Sequence, residues 1–106
     1  MIQIVDIKME IRYSPKFLKQ YKQVGQKIQF AYNNRVALFL TNPYHPLLHN
    51  HMLTGKYSGF RSINITGDWR ALYKEVEIND EHVIIKFHLL GHIVNFTDKF
   101  YDYLYV

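Results

Sequence analysis

Apolar positions recur along this chain with two different periods, and each change of period marks a change of element. The start offers two candidates: Met1 to Ile7 reads as a strand or an extension, and Met9-Glu10-Ile11-Arg12-Tyr13, which alternates, reads equally as the first core strand with residues 1–8 as an N-terminal extension. From Phe17 the spacing becomes helical: Phe17, Leu18, Tyr21 and Val24 form one stripe, Gly25 interrupts, and Ile28, Ala31, Tyr32, Val36, Leu38 and Phe39 form a second that ends near Thr41. Ser14-Pro15 predicts the entry to the first helix, over about Pro15–Gln23, because serine accepts from an orphan N–H and proline at the first helical position forfeits no hydrogen bond. Asn42-Pro43-Tyr44-His45-Pro46 cannot continue a helix, since proline lacks the donor and restricts its predecessor.

Alternation returns at Phe60. Phe60, Ser62 and Asn64 point to one face and Arg61, Ile63 and Ile65 to the other, and Thr66-Gly67-Asp68 supplies a tight reversal. On the return strand Trp69, Ala71 and Tyr73 share a face, with Arg70 and Leu72 opposite. Which of these faces Arg61 shares depends on the register, which a one-residue slip reverses. Asn79-Asp80 marks another turn, Val83-Ile84-Ile85-Lys86-Phe87 reads as a buried strand, and Phe96, Phe100 and Leu104 recur at helical spacing in an aromatic tail. The order predicts an α+β fold: a strand and a helical hairpin packed on one face of a curved antiparallel sheet, whose other face is free to carry function.

The 106 residues suit a single domain, 1–106, and the 48% hydrophobic content supplies its core. The absence of cysteine rules out a disulfide framework and thiolate metal sites. A net charge of +4 favours an anionic partner. The apolar start, Met1 to Ile7, is short and carries Asp6, so a membrane span is not expected and the cytoplasm is the expected location. His45, His49 and His51 lie on a proline-containing loop without ligand spacing, so no metal or other cofactor is expected.

The segment from His51 to Tyr73 concentrates polar and ionisable groups on a hairpin that does not need them for folding. Alone, Asp68 reads as a turn residue, His51 as a loop histidine and Trp69 as a core aromatic. Taken together and in order, several pieces resemble the RelE/ParE superfamily of type II toxins, in its RelE/StbE and YafQ-like branch. They are Ile11-Arg12-Tyr13-Ser14-Pro15 with Phe17-Leu18-Lys19, Leu38-Phe39-Leu40 before Asn42-Pro43, His51-x-Leu53-x-Gly55, Gly59-Phe60-Arg61-Ser62-Ile63, Asp68-Trp69-Arg70, and Gly91-His92. The resemblance covers Met9 to about Phe96.

That resemblance implies a RelE-like fold and a ribosome-dependent mRNA endonuclease, or mRNA interferase. Its partners would be a neutralising antitoxin, the ribosome and mRNA, with operator DNA reached only through the antitoxin. Cleaving RNA without a metal needs a base for the 2′-OH, an acid for the leaving 5′-oxygen and cations for the phosphorane. The family's active groups fall on His51, Asp68, His92 and Arg70: His92 as general acid, His51 and Asp68 on the base side, Arg70 gripping phosphate. Arg61, Asn64, Trp69 and Phe96 are the implied substrate contacts. Two departures stand out. Asn64 replaces a histidine of the pattern and cannot relay a proton, and Gly91-His92 is one residue shorter than the family's Gly-Thr-His, which makes His88 a substitute. The alternatives are a ParE-like inhibitor of DNA gyrase and a degenerate toxin that only binds antitoxin.

Overall fold

In the computed structural model, residues 8–96 are described, and the remainder of the predicted N-terminal extension and aromatic tail lies outside them. Strand β1 (Lys8–Tyr13) leads into helix α1 (Pro15–Gln23) and helix α2 (Gln26–Thr41), and strands β2 (His51–Met52), β3 (Arg61–Asn64), β4 (Trp69–Ile78) and β5 (His82–His92) follow. Three 3₁₀ turns, Pro46–Leu48, Gly55–Tyr57 and Ile93–Asn95, complete the path.

The first helix begins where the sequence places it. Ser14 is its N-cap, with Oγ accepting from the Phe17 N–H at 2.9 Å. The helical hairpin is tied by two polar contacts, Tyr21 Oη donating to Asn33 Oδ1 at 2.9 Å and Gln29 Nε2 to the Tyr21 carbonyl at 2.8 Å.

The five strands form one sheet in the order β1-β5-β4-β3-β2. The meander β3-β4-β5 is antiparallel as expected, but β1 runs parallel to β5, with Tyr13 opposite Phe87, so the sheet is mixed. A parallel neighbour needs a long crossover, and chain passing through both helices provides it. Strand β5 also runs five residues beyond Phe87, so His88 lies inside the strand and His92 at its end.

The register decides the faces. Ile63 lies opposite Ala71 and Arg61 opposite Tyr73, so these four share a face, and Ala71 is opposite Leu90 in turn. Helices cover that face. Phe17, Tyr32, Phe39, Tyr73 and Phe87 form its aromatic core, with ring centroids 5.1–5.8 Å apart in the contacting pairs. All five are at most 2% exposed. Burying such a side chain stabilises the fold by roughly 1.5–3 kcal/mol each.

Near Leu72 and Tyr73 the β4–β5 register slips: Leu72 faces Leu89 while Tyr73 faces Phe87, leaving His88 as an extra residue, a β-bulge. Past Phe87, β5 has no β1 partner, and α1 supplies one instead. Ser14 Oγ donates to the His88 carbonyl at 2.8 Å, the Ser14 N–H donates to the Phe87 carbonyl at 2.9 Å, and Gln20 Oε1 accepts from the Leu90 N–H at 2.8 Å. These bonds satisfy backbone groups that the bulge and the missing strand would leave unpaired.

Candidate active site

The face of the sheet turned away from the two helices carries two cross-strand rows of interest. In one, Ser62 lies opposite both His51 on β2 and Leu72 on β4, and Leu72 lies opposite Leu89. In the next, Asn64, Arg70 and Gly91 are aligned across β3, β4 and β5. His51, Asn64 and Arg70 are therefore brought to one open face, which settles the question that alternation alone left open. Arg61 goes to the other: its Nε donates to Asn50 Oδ1 at 2.8 Å and its guanidinium lies 5.4 Å from the Tyr44 ring.

Arg70 is only 6% exposed, unusual for an arginine. Its Nη1 donates to the carbonyls of Thr66, Gly67 and Trp69 at 2.9, 3.1 and 3.1 Å, so the guanidinium is locked into the hairpin turn. Thr66 Oγ1 braces the same turn by accepting from the Asp68 and Trp69 N–H groups at 3.3 and 3.2 Å. A charge held this way acts as a fixed electrostatic element, with little reorganisation when an anion arrives.

His51 sits within the electrostatic reach of that charge. Burial, together with the neighbouring His49, Arg70 and Arg61, holds its pKa below the ordinary imidazole value, against an opposing contribution from the His49 carbonyl. Its Nδ1 lies 2.8 Å from that carbonyl, which can only accept, so Nδ1 carries the proton. The neutral ring then presents an unprotonated Nε2, the form a general base requires.

His92 is placed differently. It pairs with Trp69 across β4 and β5, on the helix-covered side, and the two rings meet edge to face at 5.9 Å. Trp69 packs against the core. His92 Nδ1 accepts from the Val94 N–H at 3.3 Å and caps the last 3₁₀ turn. Asp68 is exposed in the turn, where its carbonyl accepts from the Ile93 N–H at 2.8 Å. The structure thus does not bring His92 or Trp69 onto the face that carries His51 and Arg70.

His88, the bulge residue, does lie on that face. Its ring meets Phe60 edge to face at 5.3 Å, and burial followed by Lys86 and Lys74 lowers its pKa. Phe96 reaches the same face, with its ring on Gly91 and edge to face with Tyr57 at 5.7 Å. Asn64 Oδ1 is buried without a hydrogen-bond partner. Gly91 and the bulge are constraints that alternation along β5 does not signal. No group of three or more potential metal-ligating side chains occurs among the described residues. A surface cavity of about 460 Å³ beside α2, lined by Lys27, Phe30, Arg35 and Ile65 among others, contains none of these site candidates.

No protein-family model matches the chain. No curated protein matches it either. Solved structures do. YafQ from E. coli strain BL21(DE3) is 22% identical with a TM-score of 0.65, over 84% of this chain and 98% of that one. YafQ in the E. coli DinJ-YafQ toxin-antitoxin complex is likewise 22% identical, with a TM-score of 0.64 over 84% and 97%. A YoeB/ParE toxin from Agrobacterium tumefaciens is 15% identical, with a TM-score of 0.64 over 79% and 98%. Two helices on one face of a five-strand mixed sheet, matched over nearly the full length of these toxins, show that this chain has the RelE/YafQ-like toxin fold.

Proposed function

We propose that the chain is the toxin of a type II toxin-antitoxin module, an endoribonuclease that cuts mRNA on the ribosome and is neutralised by a cognate antitoxin. The observation that carries this reading is His51, with its Nδ1 proton fixed on the His49 carbonyl and its Nε2 basic, beside the buried charge of Arg70. In the proposed reaction His51 Nε2 takes the 2′-OH proton, the 2′-oxygen attacks the adjacent phosphorus, and Arg70 stabilises the charge that builds on the phosphoryl oxygens. The P–O5′ bond breaks to leave a 2′,3′-cyclic phosphate and a 5′-hydroxyl.

The leaving oxygen needs a proton, and the two faces separate the candidates. His92 caps a turn on the helix-covered side, whereas His88 shares the open face with His51, so we assign the donor role to His88. An arriving phosphate raises the pKa of a histidine that burial, with Lys86 and Lys74, otherwise holds low, loading it with the proton it delivers. Asp68 keeps a role through the turn that fixes Arg70.

The partner part of the proposal draws on neighbours of the same fold. YafQ and a Staphylococcus aureus YoeB, 21% identical with a TM-score of 0.60, were solved in complex with DinJ and YefM. Operator DNA would be reached only through the antitoxin. No helix of the described residues is long and apolar enough to cross a membrane.

The test is primer-extension mapping of mRNA on translating ribosomes with the purified chain. New cuts within codons are expected, reduced roughly 10²-fold or more in His51→Ala and His88→Ala and retained in His92→Ala. Loss of cutting in folded His92→Ala with full cutting in His88→Ala reverses the acid assignment. An absence of cuts by the folded wild-type chain rejects the nuclease.

A further inference from the structure

One residue row on the open face lies outside the proposed catalytic groups. Lys86 on β5 is directly opposite Lys74 on β4 and directly opposite Arg12 on β1, so three cations stand side by side on adjacent strands. With strands about 4.8 Å apart, the row spans roughly 10 Å. Like charges placed directly opposite one another oppose pairing, so folding alone does not account for the row.

Compensation is scarce. Arg12 is paired with Glu10, Nε to Oε1 at 3.2 Å. Among the described residues neither Lys74 nor Lys86 forms a salt bridge. Glu10 and Glu77 face Ile84 in the row nearer the far end of the sheet and bound the strip on that side. On the other side it runs towards the His51 and Arg70 rows. At its lateral end stands Phe60, whose ring lies 4.3 Å from Lys74 Nζ and in contact with His88 and Tyr57.

A row of cations that ends in an aromatic ring, next to a proposed phosphodiester-cleaving site, matches the way single-stranded nucleic acid is held. Cations follow the backbone and flat rings receive bases. An acidic protein segment would use the lysines but has no need of Phe60. We infer that Lys86 and Lys74, with Arg12 at the edge, form a backbone-binding strip for the stretch of single-stranded RNA adjoining the nucleotide that is cut. This deepens the nuclease reading and rests on it for the identity of the strand.

The experiment measures binding apart from cutting. A short fluorescent 2′-O-methyl oligoribonucleotide, which cannot be cleaved for want of a free 2′-OH, is titrated with the wild-type chain, Lys74→Gln/Lys86→Gln and Lys16→Gln/Lys19→Gln across a salt series. Each phosphate neutralised on a single strand contributes about −0.7 to the slope of log K against log salt. The wild type and the α1 variant are expected near −2, and the strip variant shallower by about 1.4 with at least tenfold weaker binding at low salt. A slope unchanged in the strip variant, or no measurable binding by the wild type, overturns the strip. So does a poly-glutamate peptide that binds through the same lysines while RNA binding does not depend on them, which would mark a site for an acidic protein. The ribosome assay keeps the two readings apart: strip-dependent binding without any cutting retains the strip and rejects the nuclease, and cutting at full kcat/KM by the strip variant does the reverse.

Discussion

Gly91 lies opposite Arg70 in the sheet, and its φ is not in the left-handed region, so any residue could adopt its backbone. What restricts it is the Phe96 ring. A Cβ at position 91 would stand 2.8 Å from Phe96 Cζ and 3.2 Å from Cε2. Such an approach forces the ring to move, and overpacking of this kind costs roughly 1–3 kcal/mol. The ring is the movable party, since it hangs from the end of a short 3₁₀ turn closed by the Phe96 N–H on the Ile93 carbonyl at 3.0 Å. Gly91→Ala is therefore expected to lower stability by about 1–2 kcal/mol, the lower part of that range. For a domain of this size that is about 5–15 °C in Tm.

The double mutant separates this cause from a general intolerance of alanine. In a Phe96→Ala background the clash is gone, and Gly91→Ala should stabilise by up to about 0.5–1 kcal/mol through the unfolded chain. Urea unfolding of the four proteins should then give a coupling of at least about 1 kcal/mol, well beyond the roughly 0.5 kcal/mol expected for independent sites. Additive effects would refute the steric account and, with it, the placement of Phe96 over the row that contains Arg70.

Arg70→Met leaves the carbonyls of Thr66, Gly67 and Trp69 without their charged donor, and urea unfolding should show a loss of about 2–3 kcal/mol; a variant as stable as wild type would sink the idea that this arginine holds the turn. The His51 pKa is lower in the folded chain than in the unfolded one, so its neutral form contributes stability that is complete above about pH 6.5 and lost as pH falls through the folded value. His51→Gln should accordingly flatten the fall in urea midpoint between neutral and mildly acidic pH, and an unchanged pH slope would contradict the burial of His51. Asn64→Val removes a buried acceptor that lacks a donor and suits a strand, so it should raise stability by about 1 kcal/mol; a lower Tm would contradict the unpaired state of Asn64 Oδ1.

Much of the scaffold was legible because its signals are local. Ser14-Pro15 marks the start of α1, Asn42-Pro43 stops α2, and Thr66-Gly67-Asp68 turns the hairpin, each through backbone chemistry that acts within a few residues. The parallel pairing of β1 with β5 joins residues more than seventy positions apart, and nothing near Met9 announces it. Strand β2 is two residues long, too short for alternation to register, yet it carries His51. The buried state of Arg70 also escaped prediction, since the three turn carbonyls that converge on its guanidinium leave no mark in the local pattern.

The division between His88 and His92 shows where reading by alternation ends. Counted from Phe87, which is in the core, a strict period of two sends His88, Leu90 and His92 to the open face and Leu89 and Gly91 to the core. The bulge at His88 adds one residue to β5 and inverts everything after it: Leu89 joins Leu72 on the open face, Leu90 enters the core, Gly91 comes beside Arg70 and His92 turns towards Trp69. Three polar contacts from Ser14 and Gln20 hold that inversion in place, so it belongs to the fold. Only with this inversion can position 91 be a glycine that admits the Phe96 ring next to Arg70, and only His88, at the bulge itself, is left as an imidazole of β5 beyond Phe87 that shares the face of His51.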